Sequence, residues 1–238
     1  MEASLTDLDL VELQVANLFT HDAEGRMVAD NEPDGDPAPR FFLWRTREGN
    51  AWRVRHDVPE HIVQRLHALV AAEPVPDDLQ APPVCLDAAL DALRLDDEPV
   101  VGHHGPHYRF PAGMPVPDGV TRITRENLHL LRRMVGRIDA LDRDFDHVEP
   151  WMSMVVDGAA VASCFSSRLT DRAAEARVDT LEEYRGRGYA PAVVAAWARA
   201  VRDSGRVPFY GTSWDNTASQ AVARKLNLVQ FGVGLALA

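Results

Sequence analysis

The 238-residue sequence is short of cysteine, of positive charge and of long apolar runs, and each shortage removes a class of function. Its two cysteines, Cys85 and Cys164, lie far apart without CxxC or Cys/His spacing, so neither a disulfide framework nor a zinc knuckle is indicated. Both read as small buried apolar residues. With 25 Lys and Arg against 36 Asp and Glu, the formal charge is -11, which disfavours nucleic acid and anionic lipid as partners and favours cationic ones. No apolar run reaches the roughly 18 residues of a membrane span, and the first residues are acidic where a signal peptide needs bases. The expectation is a soluble, cytoplasmic protein.

What is present is a run of helical and strand patterns. Leu5, Leu8, Val11, Leu13, Val15 and Leu18 suit an amphipathic first helix, followed by an exposed Pro- and acid-rich loop over 30–40. "RFFLWRT" and "AWRVRHD" read as a hairpin turning at 47–50, and Pro59 opens a helix carrying Ile62, Leu66, Leu69 and Val70. A Pro-rich break over 74–83, a short helix over 86–95 and an irregular strand at "VVGHHGPHYRFP" complete the first half. The texture changes near Val116. Thr124 opens a helix with Leu128, Leu131, Met134, Val135 and Ile138 on one face, then an acidic connector runs to Pro150. Asp157-Gly158 marks a hairpin between "WMSMVV" and "AAVASCFSS", and "RAAEARVDTL" is a third antiparallel strand. A helix follows, then a strand at "VPFYGTSW", a helix over 216–226, and one or two terminal strands. This predicts an α/β (α+β) chain in two parts, 1–115 and 116–238.

The stretch "EEYRGRGYAPAVVAAWARAV" concentrates two glycines and two arginines at the mouth of an apolar helix. Backbone N–H groups there lack internal partners and sit at the positive end of the helix dipole. Gly186 and Gly188 permit unusual backbone angles and close approach, while Arg185 and Arg187 add charge. Such a corner suits a pyrophosphate. Each exposed helix-end interaction contributes only about 0.3–1 kcal/mol, so several groups must act together.

Arg185, Gly188 and Ala190 match the R/Q-x-x-G-x-G/A signature of the GNAT N-acetyltransferase superfamily, and "GTSWDNTASQAVARKLNL" resembles its second conserved block. Residues 121–238 thus resemble that family, most of all its zwittermicin-resistance-type and FR47-like members. The resemblance implies a mixed, mostly antiparallel central sheet flanked by helices, with acyl-CoA in a V-shaped opening between the strand ending at Leu181 and the strand 207–214. It implies that backbone groups of Val178, Thr180 and Leu181 pair with the pantetheine amides. The corner, Arg185, Gly186, Arg187, Gly188, Tyr189 and Ala190, would hold the pyrophosphate. Asn216 and Ser219 would sit beside the pantetheine arm, although Asn216 is equally a good helix N-cap.

Acyl transfer to an amine needs the neutral amine, which for a lysine-like group at pH 7 costs about 4.6 kcal/mol. Glu175 and Asp179, of one parity on the strand feeding the corner, are candidate bases, with ion pairing of Glu175 to Arg172 or Arg177 as the structural alternative. Many family members carry a tyrosine acid seven residues after the Asn; this chain has Ala223, leaving Tyr189, Tyr210, Ser213 or water to serve. Asn227 replaces the usual glycine after Lys-Leu and suits a left-handed helix end. His103, His104 and His107 are broken by Gly105-Pro106 and read as loop histidines rather than metal ligands. Trp197 reads as core. The resulting expectation is direct acetyl transfer from acetyl-CoA, without metal, to a primary amine of a small molecule or peptide. A non-catalytic acyl-CoA sensor is the alternative.

Overall fold

In a computed structural model, which describes residues 5–33, 35–94, 98–115 and 117–238, helix α1 (Asp7–Leu18) starts at a reciprocal cap. The Asp9 carboxylate accepts the Thr6 N–H at 3.0 Å while the Asp9 N–H donates to Thr6 Oγ1 at 3.1 Å. Two short strands that the sequence pattern did not announce follow, β1 (Phe19–His21) and β2 (Met27–Asp30), which form a two-stranded sheet, with further single bridges from Met27 to Arg55 and from Ala29 to Pro37. The expected hairpin forms β3 (Phe41–Arg45) and β4 (Asn50–Val54) in antiparallel register. Pro59 immediately precedes α2 (Glu60–Ala72), whose Ile62, Leu66 and Val70 are buried. α3 (Leu86–Leu93) follows; its expected end at Leu95 lies outside the described residues.

The strand read as irregular is β5 (Val101–Arg109). The remaining elements are β6 (Val120–Ile123), a 3-10 helix (Arg125–Arg133), α4 (Ile138–Asp144), β7 (Trp151–Val156), β8 (Ala159–Leu169), β9 (Ala173–Thr180), α5 (Tyr189–Asp203), β10 (Val207–Gly211), α6 (Thr217–Lys225) and β11 (Val229–Leu237). The chain divides into two compact units. One holds the residues up to His107 with Thr212–Asp215 and Gln230–Ala238; the other holds Tyr108–Gly211 and Asn216–Val229. This partition interleaves the chain, whereas the sequence suggested a single break near Val116, a residue outside the described set.

In the first unit the strands lie in the order β4–β3–β11–β5. Every residue of β3 is buried, so both faces are covered. Phe41 and Leu43 join Leu66, Leu93, Leu235 and Leu237 in one core, while Phe42 and Trp44 meet Phe19 and His107 on the other face. β11 lies beside β3 in the sheet with Gly234 opposite Trp44, and a Cβ there would sit 2.8 Å from the Phe42 ring and 2.9 Å from His107 Nε2. Only glycine lets the strands close there.

In the second unit the order is β10–β9–β8–β7–β6, antiparallel except for β9 with β10. Asp157 (φ 49°) and Gly158 (φ 73°) make the β7–β8 turn as expected. α5 covers one face with Val193, Val194, Trp197 and Val201; Trp197 is fully buried and its Nε1 donates to Ser166 Oγ at 3.2 Å. The other face is closed by Leu128, Leu131 and the Trp151–Phe165 stack. Here the helix expected from Thr124 to Ile138 is divided. Asn127 accepts the Thr124 N–H at 2.7 Å and donates to Arg122 O at 3.0 Å, which fixes it at φ -118°, ψ 17° and interrupts the helix. A separate α4 then forms inside the stretch read as an acidic connector, where Arg125 pairs with Asp142 and Asp146.

Candidate functional site

The geometry of interest begins where β9 and β10 part. Their parallel ladder covers only Ala173–Glu175 opposite Val207–Phe209. Past Phe209, β9 continues along β8 alone. Leu181 N–H donates to Val161 O and Ala173 O accepts from Thr170, so odd-numbered backbone groups of β9 face β8. Val178 and Thr180 therefore present their N–H and C=O to the open edge. The Thr180 hydroxyl oxygen is also buried without a hydrogen-bond partner among the described residues. From Ala176 to Leu181 this free edge runs roughly 17 Å.

A 3-10 turn (Glu182–Tyr184) leads from the edge to the glycine corner. Gly186 and Gly188 adopt φ 78° and 83°, with no protein atom within 4 Å of where a Cβ would stand. Within the chain their requirement is thus conformational, and the space beside them is open. Gly188 precedes α5 and offers no side-chain cap, so the first-turn N–H groups, Tyr189 and Ala190 among them, have no helical acceptor. Pro191 adds none. Arg185, Gly186, Arg187 and Gly188 are exposed. The Arg187 guanidinium is drawn back from the mouth: it donates to Glu183 O at 3.1 Å and lies 5.0 Å over the Tyr184 ring. Arg133 reaches the same turn, 2.6 Å from Glu183 and 5.7 Å from the Tyr184 centroid, a tie that sequence spacing did not reveal.

Glu175, Arg177 and Asp179 share the face of β9 opposite α5, since no bulge falls on β9; the irregularity lies on β8 between Ser166 and Arg168. Glu175 is 5% exposed, at the point where the ladder stops, and stands across from Arg168. Arg177, one expected partner of Glu175, instead has its Nε 3.7 Å from Asp179 Oδ2. Asp179 is exposed along the free edge.

Across the fork, Asn216 caps α6: its Oδ1 accepts the Ser219 N–H at 3.0 Å. The Ser219 hydroxyl lies 2.8 Å from the Tyr210 phenol, which rises from β10. Burial pushes the Tyr210 phenol well above its ordinary pKa. Ala223, one turn further along α6, joins Tyr210 in the same core. Ser213 follows β10 in the Thr212–Asp215 segment, which clusters with the first unit, and its hydroxyl donates to Asp215. His103 and His107 approach through their Nε2 atoms at 3.2 Å in that same unit, and no described trio of His, Cys, Asp or Glu is arranged to hold a metal.

Comparisons with known proteins bear on this arrangement. Residues 152–230 match the family model described as GNAT acetyltransferase. A GNAT-family acetyltransferase from Colwellia psychrerythraea aligns over 98% of this chain and 97% of its own at 12% identity and TM-score 0.50, a likeness of fold. A GCN5-related N-acetyltransferase-like protein from Streptococcus suis 89/1591 aligns over 83% and 84% at 18% identity and TM-score 0.47. The aminoglycoside N-acetyltransferase AAC(6')-Iy, solved in complex with CoA, is 22% identical over 45% of this chain and 88% of its own, with TM-score 0.35. No curated protein matches the sequence. The family model lies over β9, the glycine corner, α5, β10 and α6, so the segment that resembles the family is the one that carries the fork and the helix mouth.

Proposed function

We propose that the chain transfers an acetyl group from acetyl-CoA directly to a primary amine. The observation that carries this reading is the uncapped mouth of α5, with its two left-handed glycines, at the end of a strand edge left open by the β9–β10 fork. The corner N–H groups from Arg187 to Ala190 would bind the pyrophosphate. Val178 and Thr180 would bond an extended amide chain along the free edge, and the orphaned Thr180 hydroxyl gives a further polar contact for it. Asn216 and Ser219 border the other side of the fork. The thioester end then arrives at the level of Glu175 and Phe209, where the ladder closes.

In the reaction the amine nitrogen bonds to the acetyl carbon, the carbon–sulfur bond breaks, the amine loses a proton and the sulfur gains one. Glu175 at the fork and Asp179 along the edge are the carboxylates placed to take the amine proton, directly or through water. Positioning alone supplies about 7–11 kcal/mol of the barrier reduction. The chain's net charge of -11 favours a cationic acceptor. Part of the 139–149 acid run is already neutralised, however: Asp142 and Asp146 by Arg125, Glu149 by Arg122.

The test is calorimetry with coenzyme A, followed by thiol release from acetyl-CoA across a panel of amines. The wild-type chain should bind, and Gly188→Val, which forces a branched side chain into φ 83° and into the open mouth, should weaken binding at least tenfold while the circular dichroism spectrum is kept. Unchanged affinity in the variant, or no binding by the wild type, would overturn the reading.

A further inference from the structure

Tyr210 is 1% exposed, yet it is a tyrosine in a core position, set among Tyr108, Phe110, Val222 and Ala223. A buried phenol needs a hydrogen-bond partner. Its partner is Ser219, in the first turn of α6, through the 2.8 Å contact between the two hydroxyls; a second path, to the Ser219 carbonyl, is longer at 3.4 Å. Ser219 is itself held by the Asn216 cap on its N–H and is only partly buried. Tyr210 is the first β10 residue past the last ladder pair with β9, so this hydroxyl pair sits at the level where the fork opens.

Resting on the acetyl-CoA reading above, we infer that Ser219 is a catalytic hydrogen-bond donor to the departing sulfur and that Tyr210 is the positioning residue that aims it. With the phenol donating along the short path, Ser219 Oγ is occupied as an acceptor and its own O–H is left to point into the fork. Burial keeps the phenol protonated, so it remains a donor throughout and is not the source of the proton. As the carbon–sulfur bond breaks, the electron pair goes to sulfur, the Ser219 O–H bonds to the resulting thiolate, and the proton lost by the amine later neutralises it. Neither hydroxyl changes its protonation state over the cycle.

The experiment has a binding arm and a turnover arm, both on the full chain. In the binding arm, calorimetry compares coenzyme A with desulfo-coenzyme A. A hydrogen bond between Ser219 and sulfur is worth about 1 kcal/mol, so the wild type should prefer coenzyme A about fivefold and Ser219→Ala should abolish the preference. In the turnover arm, thiol release from acetyl-CoA is followed with spermidine, tyramine and kanamycin. Hydrogen bonds to a charged group are stronger, so Ser219→Ala should lower kcat about 10- to 100-fold with KM for acetyl-CoA nearly unchanged. Ser219→Thr should restore most of it, and Tyr210→Phe should lower kcat at least threefold at constant KM. Equal affinity of the wild type for the two ligands, or Ser219→Ala leaving the preference intact, overturns the inference while the acetyl-CoA reading stands. If the wild type binds neither ligand, both fall.

Discussion

Cys164 lies mid-strand on β8, fully buried against α5, and burial pushes its thiol well above the ordinary range, with Asp179 adding to the shift. The other cysteine, Cys85, is pushed up to about 12, again chiefly by burial and then by Glu73. A nucleophilic cysteine needs thiolate and access, and neither residue has them. Incubation with acetyl-CoA and no amine should therefore leave the intact mass of the chain unchanged, and Cys164→Ala should turn over at a rate within about threefold of wild type. An acetyl adduct that disappears in Cys164→Ala would replace direct transfer with a covalent intermediate. Single residues with strong local preferences were readable in this way from the sequence. Asn227 does take the left-handed position (φ 51°), Asp157-Gly158 does turn a hairpin, and Trp197 is core. The Tyr210–Ser219 pair was not, because hydroxyls nine residues apart meet only once β10 and α6 are placed.

At the scale of elements, pattern succeeded where one preference ruled and failed where a side chain overrode it. The β-prone runs of β7, β8 and β9 around Asp157-Gly158 and the apolar run of α5 were legible; the break at Asn127 was not, since apolar spacing ran through it. The Pro-rich stretch after α2 is a second case. It read as a break, yet the structure anchors it through the Glu73 carboxylate, which accepts the N–H groups of Val84 at 3.1 Å and Cys85 at 2.8 Å. Arg45 of β3 pairs with Glu73 at 3.5 Å and donates to Ala81 O, and both side chains are almost wholly excluded from solvent. Removing one member leaves a buried charge alone, a loss of about 3–5 kcal/mol. Glu73→Gln should shift the urea midpoint downward by that stability. The paired change Arg45→Met with Glu73→Leu should recover only part of it, because no charge is left to solvate but the Val84 and Cys85 N–H groups lose their acceptor. Equal stability of Glu73→Gln and wild type would show that the pair does not hold the strap.

For the whole molecule, the sequence suggested two successive parts, and a cut near residue 115 looks harmless on that view. The chain instead leaves the first unit after His107, returns for Thr212–Asp215 and returns again from Gln230 to the end. Patterning could not show this, because a terminal apolar strand reads the same whichever neighbour it pairs with. β11 is buried from Phe231 to Leu237, and residues Val233 to Leu237 pair with Arg45 to Phe41 of β3. A fragment of residues 116–238 keeps β11 and loses both its sheet neighbours, β3 and β5, leaving a long, uncharged apolar strand with both edges unpaired, the arrangement most prone to association with other copies. Expressed alone, it should aggregate or give a poorly dispersed amide spectrum without a cooperative melt, whereas the full chain should melt cooperatively. Co-expressing residues 1–115 should restore solubility, because that piece carries both β3 and β5, the strands that flank β11. A soluble monomeric 116–238 with a dispersed spectrum would mean that β11 is not committed to β3.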